Sequence, residues 1–271
     1  MSKIRVAVFG AGGKMGATVC RAVAGDDDLV LAAAFDPRLA GIDLAQAVGV
    51  GGTGLLIHAS PESIEPGSVD VAVDFTRAEA AFENLLICAR AGIHAVVGTT
   101  GLTDDQIGQV RQAFSGSGAN CLVAANFAIG AVLMMKFAEA ASPFFDTAEV
   151  IELHHEHKVD APSGTALATA RRMAAARQGD PFLPDPTTSE LSGARGFAVD
   201  GGVRVHSVRM RGMTAHQEVI LGAMGQTLTI RHDSFDRESF MPGVLLAVKA
   251  IGNFPGLTLG LDQIIDAKLH S

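Results

Sequence analysis

The chain has 271 residues, of which 48% are hydrophobic and 18% are charged, and this composition is typical of globular rather than disordered proteins. Its formal net charge of −8 argues against a general affinity for nucleic acid, because such affinity usually needs a basic face. No apolar run reaches the roughly 18 residues of a membrane helix, and the N-terminus enters an apolar strand without the layout of a cleavable signal. We therefore expect a cytoplasmic protein with neither a membrane nor a nucleic-acid partner.

The three cysteines are Cys20, Cys88 and Cys121, and they lie far apart in the chain. Each one sits in an apolar stretch. This placement favours buried, reduced thiols over a disulfide, a zinc site or a nucleophile.

The first half of the chain alternates short apolar runs with helical patterns, which is typical of a parallel α/β sheet. The predicted strands cover residues 4–9, 29–35, 69–75, 94–97 and 121–125, and the predicted helices cover 15–24, 78–91 and 104–114. Strands this uniformly apolar are covered on both faces. The pattern predicts a doubly wound sheet of the Rossmann type in an α/β protein.

The pattern changes after Asn126. It predicts helices over 129–141, 165–176 and 241–251, strands over 148–154, 203–210, 217–221 and 227–232, and a proline-rich surface loop over 178–192. Strands without interleaved helices indicate an open, antiparallel or mixed sheet, and hence an α+β domain. We expect residues 1–127 and 237–271 to form the first domain and residues 128–236 to form the second.

A glycine loop joins the first predicted strand to the first helix. Gly10, Gly13 and Gly16 have a GxxGxxG spacing, which is a variant of the dinucleotide-binding fingerprint. The helix N-terminus offers N–H groups to phosphates, and Lys14 places a charge there. The second strand ends at Asp36, where a carboxylate accepts hydrogen bonds from the adenosine ribose. The pattern predicts a nicotinamide dinucleotide; a merely structural turn is the alternative.

The residues after Asp36 bear on the choice between NAD and NADP. NADP binders usually need a cation for the 2′-phosphate, and here Pro37 separates Asp36 from Arg38. This order of residues favours NAD as the cofactor, or tolerance of both NAD and NADP.

Two further strand ends predict contacts with the cofactor. Asp74-Phe75-Thr76 closes the third predicted strand, and Gly98-Thr99-Thr100-Gly101 closes the fourth. Ligands of open α/β sheets collect at the carboxyl ends of strands. Ordinary helix capping by Thr99 or Thr100 is the alternative for that loop.

A histidine-rich segment follows the strand predicted over 148–154. Three histidines and one lysine fall within residues 154–158. The spacing lacks HExxH and no cysteine is near, so we expect no metal site; a solvated charged loop is the other alternative. If the strand continues in extended form, His154, Glu156 and Lys158 share one face because side chains alternate.

This segment combines proton chemistry with anion binding. Histidine exchanges a proton near neutral pH, and a neighbouring lysine can hold a carboxylate or act as an acid. The N–H groups of Gly164 and Thr165, at the start of the next predicted helix, form a second anion site. The combination predicts a reductase whose substrate is a small dicarboxylate.

The run HHEHKVDAPSGTA over residues 154–166 resembles the signature of the dihydrodipicolinate reductase family, also called 4-hydroxy-tetrahydrodipicolinate reductase. Weaker matches occur in the same order along the whole chain: the glycine loop, residues 74–76, 98–101, 125–130 and 231–234. The resemblance implies reduction of hydroxy-tetrahydrodipicolinate to tetrahydrodipicolinate with NADH or NADPH and loss of water, in the diaminopimelate route to lysine.

The resemblance also implies roles for individual residues. His154 matches the proton donor and acceptor, Lys158 the second proton donor, and His155, Lys158, Gly164 and Thr165 the positions that bind the substrate. The matched cofactor positions are Gly10, Ala11, Gly12, Gly13, Lys14, Met15, Asp36, Gly98, Thr99, Thr100, Ala124, Ala125, Asn126 and Phe127. Family members are cytoplasmic homotetramers joined through the sheets of their second domains, which makes residues 128–236 a substrate-binding and oligomerisation domain.

One departure from the family pattern concerns the cofactor. In some members an arginine directly follows the acid, whereas Pro37 stands there in this chain, so use of NADPH requires Arg38 or Lys14. Two other functions remain open at this point. One is a related two-domain NAD(P)-dependent dehydrogenase of another small acid, and the other is a nucleotide-sensing or structural protein without turnover.

Overall fold

The computed structural model describes residues 2–270, and the chain divides into two compact units. The first unit opens with β1 Ile4–Phe9, α1 Lys14–Ala24, β2 Leu29–Phe35, α2 Leu44–Val48, β3 Ile57–His58, β4 Val71–Asp74, α3 Ala78–Ala91, β5 His94–Val97, α4 Asp104–Ser115 and β6 Cys121–Val123. The second unit, Ala128–Ser239, contains α5 Ile129–Ala141, β7 Thr147–His154, α6 Gly164–Ala176, β8 Phe197–Ala198, β9 Arg204–Arg209, β10 Ala215–Ala223 and β11 Gln226–Ser234. From Phe240 the chain belongs to the first unit again, with α7 Met241–Ala250, β12 Leu257–Leu259 and α8 Asp262–Leu269.

The sheet of the first unit has seven strands, all parallel, in the order β12-β6-β5-β4-β1-β2-β3. The strand order runs in opposite directions on the two sides of β1, so the carboxyl ends of β1 and β4 flank a topological switch point. Val6, Val8, Val73 and Val96 in the central strands are completely buried. Both observations confirm the doubly wound Rossmann-type sheet predicted from the sequence.

The second unit contains a five-stranded sheet in the order β11-β10-β7-β9-β8. β10 runs antiparallel to both of its neighbours, whereas β7 and β9 are parallel, so the sheet is mixed, as predicted. Helices α5 and α6 both pack on strands of this sheet. The side chains of Val150, Val205 and Leu221 are buried.

Most predicted elements agree with the structure to within one or two residues. The predicted strand over 121–125 is too long, since β6 ends at Val123. The sequence pattern missed β3, β8 and β12, which have two or three residues each, and the helices α2 and α8. The three strands and the five-residue α2 contain too few residues to repeat a hydrophobic period, whereas α8 has eight residues.

The Asn120 side chain helps to hold the C-terminal segment after α7 against the rest of the first unit. Asn120 Nδ2 donates to the carbonyls of Ile251 and Gly252, and its Oδ1 accepts from the Gly256 backbone N–H. Immediately beyond, β12 pairs with β6, with Leu257 opposite Cys121. The edge of the seven-stranded sheet is therefore completed by residues from the end of the chain.

All three cysteines are unpaired and buried, as predicted. Burial raises the pKa of Cys20 and that of Cys88 to about 12, so both remain thiols. Within residues 2–270, every helix is too short or too polar to cross a bilayer.

Two helical glycines should respond oppositely to alanine. A Cβ at Gly243, in α7, would lie 2.0 Å from the carbonyl oxygen of Phe127, whereas Gly108, in α4, is exposed and has no neighbour within 4 Å. We expect Gly243→Ala to lower the free energy of unfolding by about 1–3 kcal/mol through overpacking. Gly108→Ala should raise it by about 0.5–1 kcal/mol, because alanine favours the helix. Urea unfolding of both variants measures this, and equal changes in the two would contradict the contact at Gly243.

Candidate active site

The glycine loop after β1 requires glycine for steric reasons. Gly10 has φ +73°, and a Cβ at Gly16 would lie 2.0 Å from the carbonyl oxygen of Gly10. A Cβ at Gly12 would lie 2.3 Å from Leu39 Cδ1. The loop backbone therefore packs closely against the start of helix α1.

The N-terminus of α1 is open to an anion. Gly13 is the N-cap and offers no side-chain cap, and the backbone bond of this turn runs from Ala17 N to the Gly13 carbonyl. The N–H groups of Lys14, Met15 and Gly16 precede it and have no carbonyl of the helix to bind. Such N–H groups, together with the positive end of the helix dipole, are typical of phosphate-binding sites.

Asp36 lies just past β2, beside this loop. Its carboxylate is buried and accepts hydrogen bonds from the backbone N–H of Gly12 (3.2 Å) and of Arg38 (3.0 Å). The Arg38 side chain is 75% exposed, and its Nε lies 3.5 Å from Asp36 Oδ1. A cleft of about 450 Å³ adjoins these groups at the switch point, and its lining includes Gly10, Gly13, Asp36, Arg38, Phe75 and Thr76.

Asp74, the last residue of β4, joins the two strand ends that were predicted to contact a cofactor. Its Oδ1 accepts from the hydroxyls of Thr76 (2.7 Å) and Thr99 (2.9 Å), and its Oδ2 accepts from Asn84 Nδ2 (2.7 Å). Helix capping does not explain Thr99, because the N-cap of the next helix is Thr103, which forms a capping box with Gln106. The buried carboxylate fixes both loops at the edge of the sheet.

The remaining predicted cofactor positions lie in the same part of the first unit. A Cβ at Gly98 would lie 2.0 Å from the ring of Phe75, whose centroid is 5.9 Å from that of Phe127. Ala124 and Phe127 are buried and Asn126 is half-buried. Thr99, Thr100 and Ala125 line a smaller cleft of about 170 Å³.

The histidine-rich segment differs from the sequence-based prediction. β7 ends at His154, and a turn follows in which Lys158 N donates to the His155 carbonyl. The expectation that His154, Glu156 and Lys158 share one strand face is therefore wrong. The Lys158 ammonium instead forms an ion pair with Asp160 at 2.8 Å, and this pair lowers the pKa of Asp160. His155 is exposed.

A buried carboxylate, Glu152, organises the groups around His154. Glu152 lies two residues before His154 in β7, and its side chain is completely buried. Its Oε2 is 2.5 Å from His154 Nδ1 and accepts from Arg209 Nη1 (2.8 Å). Its Oε1 accepts from Arg209 Nη2 (2.7 Å) and from the backbone N–H of Ser163 (3.1 Å).

These hydrogen bonds determine the charge of Glu152. Burial alone would raise its pKa, but hydrogen bonds from His154, Arg209 and Ser207 outweigh that effect and lower the pKa to about 2. Glu152 is therefore a carboxylate throughout the physiological range of pH.

The start of α6 provides a second open helix N-terminus. The Ser163 hydroxyl caps the helix by accepting from the Ala166 N–H, and Ser163 itself is buried. Gly164 is exposed and Thr165 half-buried, and their N–H groups lie in the first turn, as predicted. Because Glu152 binds both His154 and Ser163, the start of α6 is held close to the imidazole.

Sequence reasoning missed the roles of Glu152, Ser163 and Arg209. Glu152 and His154 occupy alternate positions of one strand, and this spacing could have indicated a contact between them. Arg209 lies 57 residues after Glu152 in the sequence, and no local pattern connects the two. Among residues 2–270, no three His, Cys, Asp or Glu side chains are grouped so that they could hold a metal ion.

The parallel sheet with its glycine loop, together with a second unit that carries His154, is typical of a two-domain, dinucleotide-dependent oxidoreductase. The family model described as "Dihydrodipicolinate reductase, N-terminus" matches residues 4–127, and the model described as "Dihydrodipicolinate reductase, C-terminus" matches residues 130–265. The chain belongs to the dihydrodipicolinate reductase family.

Individual relatives agree over nearly the full length. The chain is 50% identical to the 4-hydroxy-tetrahydrodipicolinate reductase of Mycolicibacterium vanbaalenii over 98% of this chain and 100% of the relative. It is 48% identical to that of Streptomyces coelicolor over 98% and 99%. A dipicolinate-bound dihydrodipicolinate reductase from Paenisporosarcina sp. TG-14 superposes with a TM-score of 0.86 at 39% identity, covering 97% and 99%. An amine dehydrogenase from Mycobacterium smegmatis, at 16% identity and a TM-score of 0.64, shares the fold alone.

The buried charge of Glu152 should make stability depend on pH. Its pKa is lowered in the folded state, so its contribution is complete above the unfolded value near 4.5 and is lost as the pH falls towards 2. Between about pH 6 and about pH 3 the wild-type protein should lose about 2 kcal/mol of unfolding free energy that Glu152→Gln does not lose. Urea titrations of both proteins measure this difference, and a constant gap across the range would contradict it.

Proposed function

We propose that this chain reduces 4-hydroxy-tetrahydrodipicolinate to tetrahydrodipicolinate with NADH or NADPH, in the diaminopimelate route to lysine. The substrate loses its hydroxyl group together with one ring hydrogen as water, and it gains one hydride and one proton, so atoms and electrons balance. The observation that carries the proposal is the cluster of His154, Glu152 and the open start of α6, which combines a proton-exchanging group with an anion site. The family match identifies the substrate class, and the Paenisporosarcina relative is described as dipicolinate-bound, which supports a cyclic dicarboxylate.

His154 is the proposed proton donor. Its Nδ1 is bound to Glu152, so Nε2 is the ring nitrogen that can pass a proton to the substrate. The N–H groups of Gly164 and Thr165 would bind one substrate carboxylate at the start of α6. His155 and Lys158 would bind the other carboxylate. Lys158 would then leave Asp160 to bind the substrate, and it would be the second proton donor beside His154.

The first unit fits a nicotinamide dinucleotide, which supplies the hydride when it is bound. The open N-terminus of α1 would bind the pyrophosphate, and Asp36 would accept hydrogen bonds from the ribose. A carboxylate oxygen accepts more than one hydrogen bond, so Asp36 can hold the loop and the ribose together. The loops over residues 98–100 and 124–127 would position the nicotinamide end beside the sheet.

We further propose that both cofactors are accepted. Asp36 suits the free ribose of NADH, and the exposed guanidinium of Arg38, beside that carboxylate, suits the 2′-phosphate of NADPH. Pro37 separates the two residues without moving Arg38 away from Asp36, because Arg38 N donates to Asp36 Oδ1.

The proposal also includes the oligomeric state of the protein and its location in the cell. One face of the five-stranded sheet carries the partly exposed side chains of Ile151, Leu153 and Ile220, and we expect it to join four chains into a homotetramer. Sedimentation should give four times the mass of the chain. The proposal places the enzyme in the cytoplasm, where free thiols such as those of the three cysteines persist.

The activity is tested with substrate made from pyruvate and aspartate semialdehyde by the synthase. The wild-type protein should oxidise NADH in this mixture, and His154→Ala and Lys158→Ala should lower kcat by roughly 10²–10⁴, the scale of a lost general acid. Binding of NADH, measured by its fluorescence, should be unchanged in both variants. Absence of activity in the wild type would refute the function, and full turnover in both variants would remove these residues from the mechanism.

The choice of cofactor is tested at Arg38 and Lys14, the two cations predicted to bind phosphate groups. Arg38→Ala should raise the KM for NADPH roughly tenfold to a hundredfold, the scale of lost hydrogen bonds to a charged group, and leave the KM for NADH nearly unchanged. Lys14→Ala is the matched control and should affect both cofactors alike, because the pyrophosphate is common to them. Initial rates with each cofactor give the KM values of both variants. If Lys14→Ala raised only the KM for NADPH and Arg38→Ala affected both cofactors alike, the 2′-phosphate would be assigned to Lys14.

A further inference from the structure

Glu152 has a feature that the proposed reaction does not by itself require. Its carboxylate is completely buried, yet it is shared among four partners on three segments of the second unit: His154 on β7, Ser207 and Arg209 on β9, and Ser163 before α6. A buried carboxylate that only neutralised Arg209 would not need the imidazole as well. The contact with His154 is therefore the one to explain.

The contact restricts the state of the imidazole. A carboxylate has no hydrogen to donate, so the short contact between Glu152 Oε2 and His154 Nδ1 requires that Nδ1 carry the hydrogen. Among residues 2–270, no protein group is hydrogen-bonded to His154 Nε2. The neutral ring therefore presents its lone pair, and the protonated ring its exchangeable hydrogen, at Nε2.

We propose that Glu152 is the positioning residue of this site: it holds His154 with the hydrogen on Nδ1, and it ties the ring to the start of α6 through Ser163. The inference rests on the proposed function, since it takes His154 as the proton donor. Glu152 acts only through its neighbours and does not touch the substrate. A fixed ring orientation matters because a proton donor must meet its acceptor at hydrogen-bond distance in the transition state.

Replacement by glutamine makes a directional prediction. Two donors that cannot become acceptors, Arg209 Nη2 and Ser163 N, converge on Oε1. Oε2 accepts from only one such donor, Arg209 Nη1, and its other partner is His154 Nδ1, which can change from donor to acceptor. Placing the amide oxygen at Oε1 therefore leaves one opposed donor, whereas the reverse placement leaves two. In Glu152→Gln the amide oxygen should therefore take the Oε1 position, and the NH₂ group should face Nδ1. An NH₂ group donates, so Nδ1 must become the acceptor and the hydrogen must move to Nε2. The variant should hold the opposite tautomer.

The test combines nitrogen NMR of the imidazole with kinetics. Two-bond ¹H–¹⁵N spectra, with the His154 signals assigned by their loss in His154→Ala, should show the Nδ1–H tautomer of the neutral ring in the wild type and the Nε2–H tautomer in Glu152→Gln. The kcat of Glu152→Gln should fall by roughly 10²–10⁴, as expected for a misplaced proton. Its affinity for NADH should stay within about twofold of the wild type, because a residue acting only through His154 is independent of cofactor binding.

Two controls separate positioning from a structural role. Glu139→Gln removes another arginine-paired carboxylate of the same unit, which binds Arg172 at 2.6 Å, and should leave both the His154 tautomer and kcat unchanged. In the His154→Ala background, Glu152→Gln should lower kcat by less than about twofold further, because two residues that act as one unit are not additive. A large additional loss in that background would overturn the proposal.

The wild-type spectrum decides the question even if Glu152→Gln does not fold. An active wild-type enzyme with the Nε2–H tautomer would contradict the inference while the proposed function stood. An inactive wild-type protein with the Nδ1–H tautomer would contradict the proposed function instead. A folded Glu152→Gln variant that kept the Nδ1–H tautomer, or its full kcat, would also overturn the inference.

Discussion

The candidate site of the second unit depends on the hydrogen bonds that the buried Glu152 carboxylate accepts. These bonds hold the last residue of β7, the end of β9 and the loop before α6 at fixed distances from one another. Taking a carboxylate out of water is costly unless its oxygens are fully bonded. Here His154, Arg209, Ser163 and Ser207 all donate to the two oxygens, and these hydrogen bonds stabilise the buried charge.

In the first unit, Asp74 is likewise a buried carboxylate that holds two chain segments together. This buried carboxylate bonds the hydroxyls of Thr76 and Thr99 and so connects the ends of β4 and β5. In both units a loop of the candidate site is held by a buried carboxylate on a strand: Asp74 ends β4, and Glu152 lies two residues before the end of β7. Loops are the most mobile parts of a domain, and such bonds place their backbone groups before a ligand arrives.

The sequence predicted the fold where hydrophobic patterns were long and repeated. β1, β2, α3 and α5 were predicted residue for residue, because each has a buried face and a clear boundary. Residues of the candidate site could be proposed from the sequence where they cluster locally, as they do between His154 and Thr165. They could not be proposed where the contact spans two strands: Arg209 reaches Glu152 only through the parallel pairing of β7 with β9. The turn at residues 155–158 was missed because no glycine, proline or asparagine marks it.

The late return of the chain has a consequence for its synthesis on the ribosome. The Asn120 amide and the open edge of β6 find their partners only at residues 251–259, more than a hundred residues later. The whole of Ala128–Ser239 emerges in between and contains its own sheet and covering helices. Domains usually complete their folding from the N-terminus onwards during translation. In this protein the inserted unit can finish first, and the sheet that begins the chain is closed last.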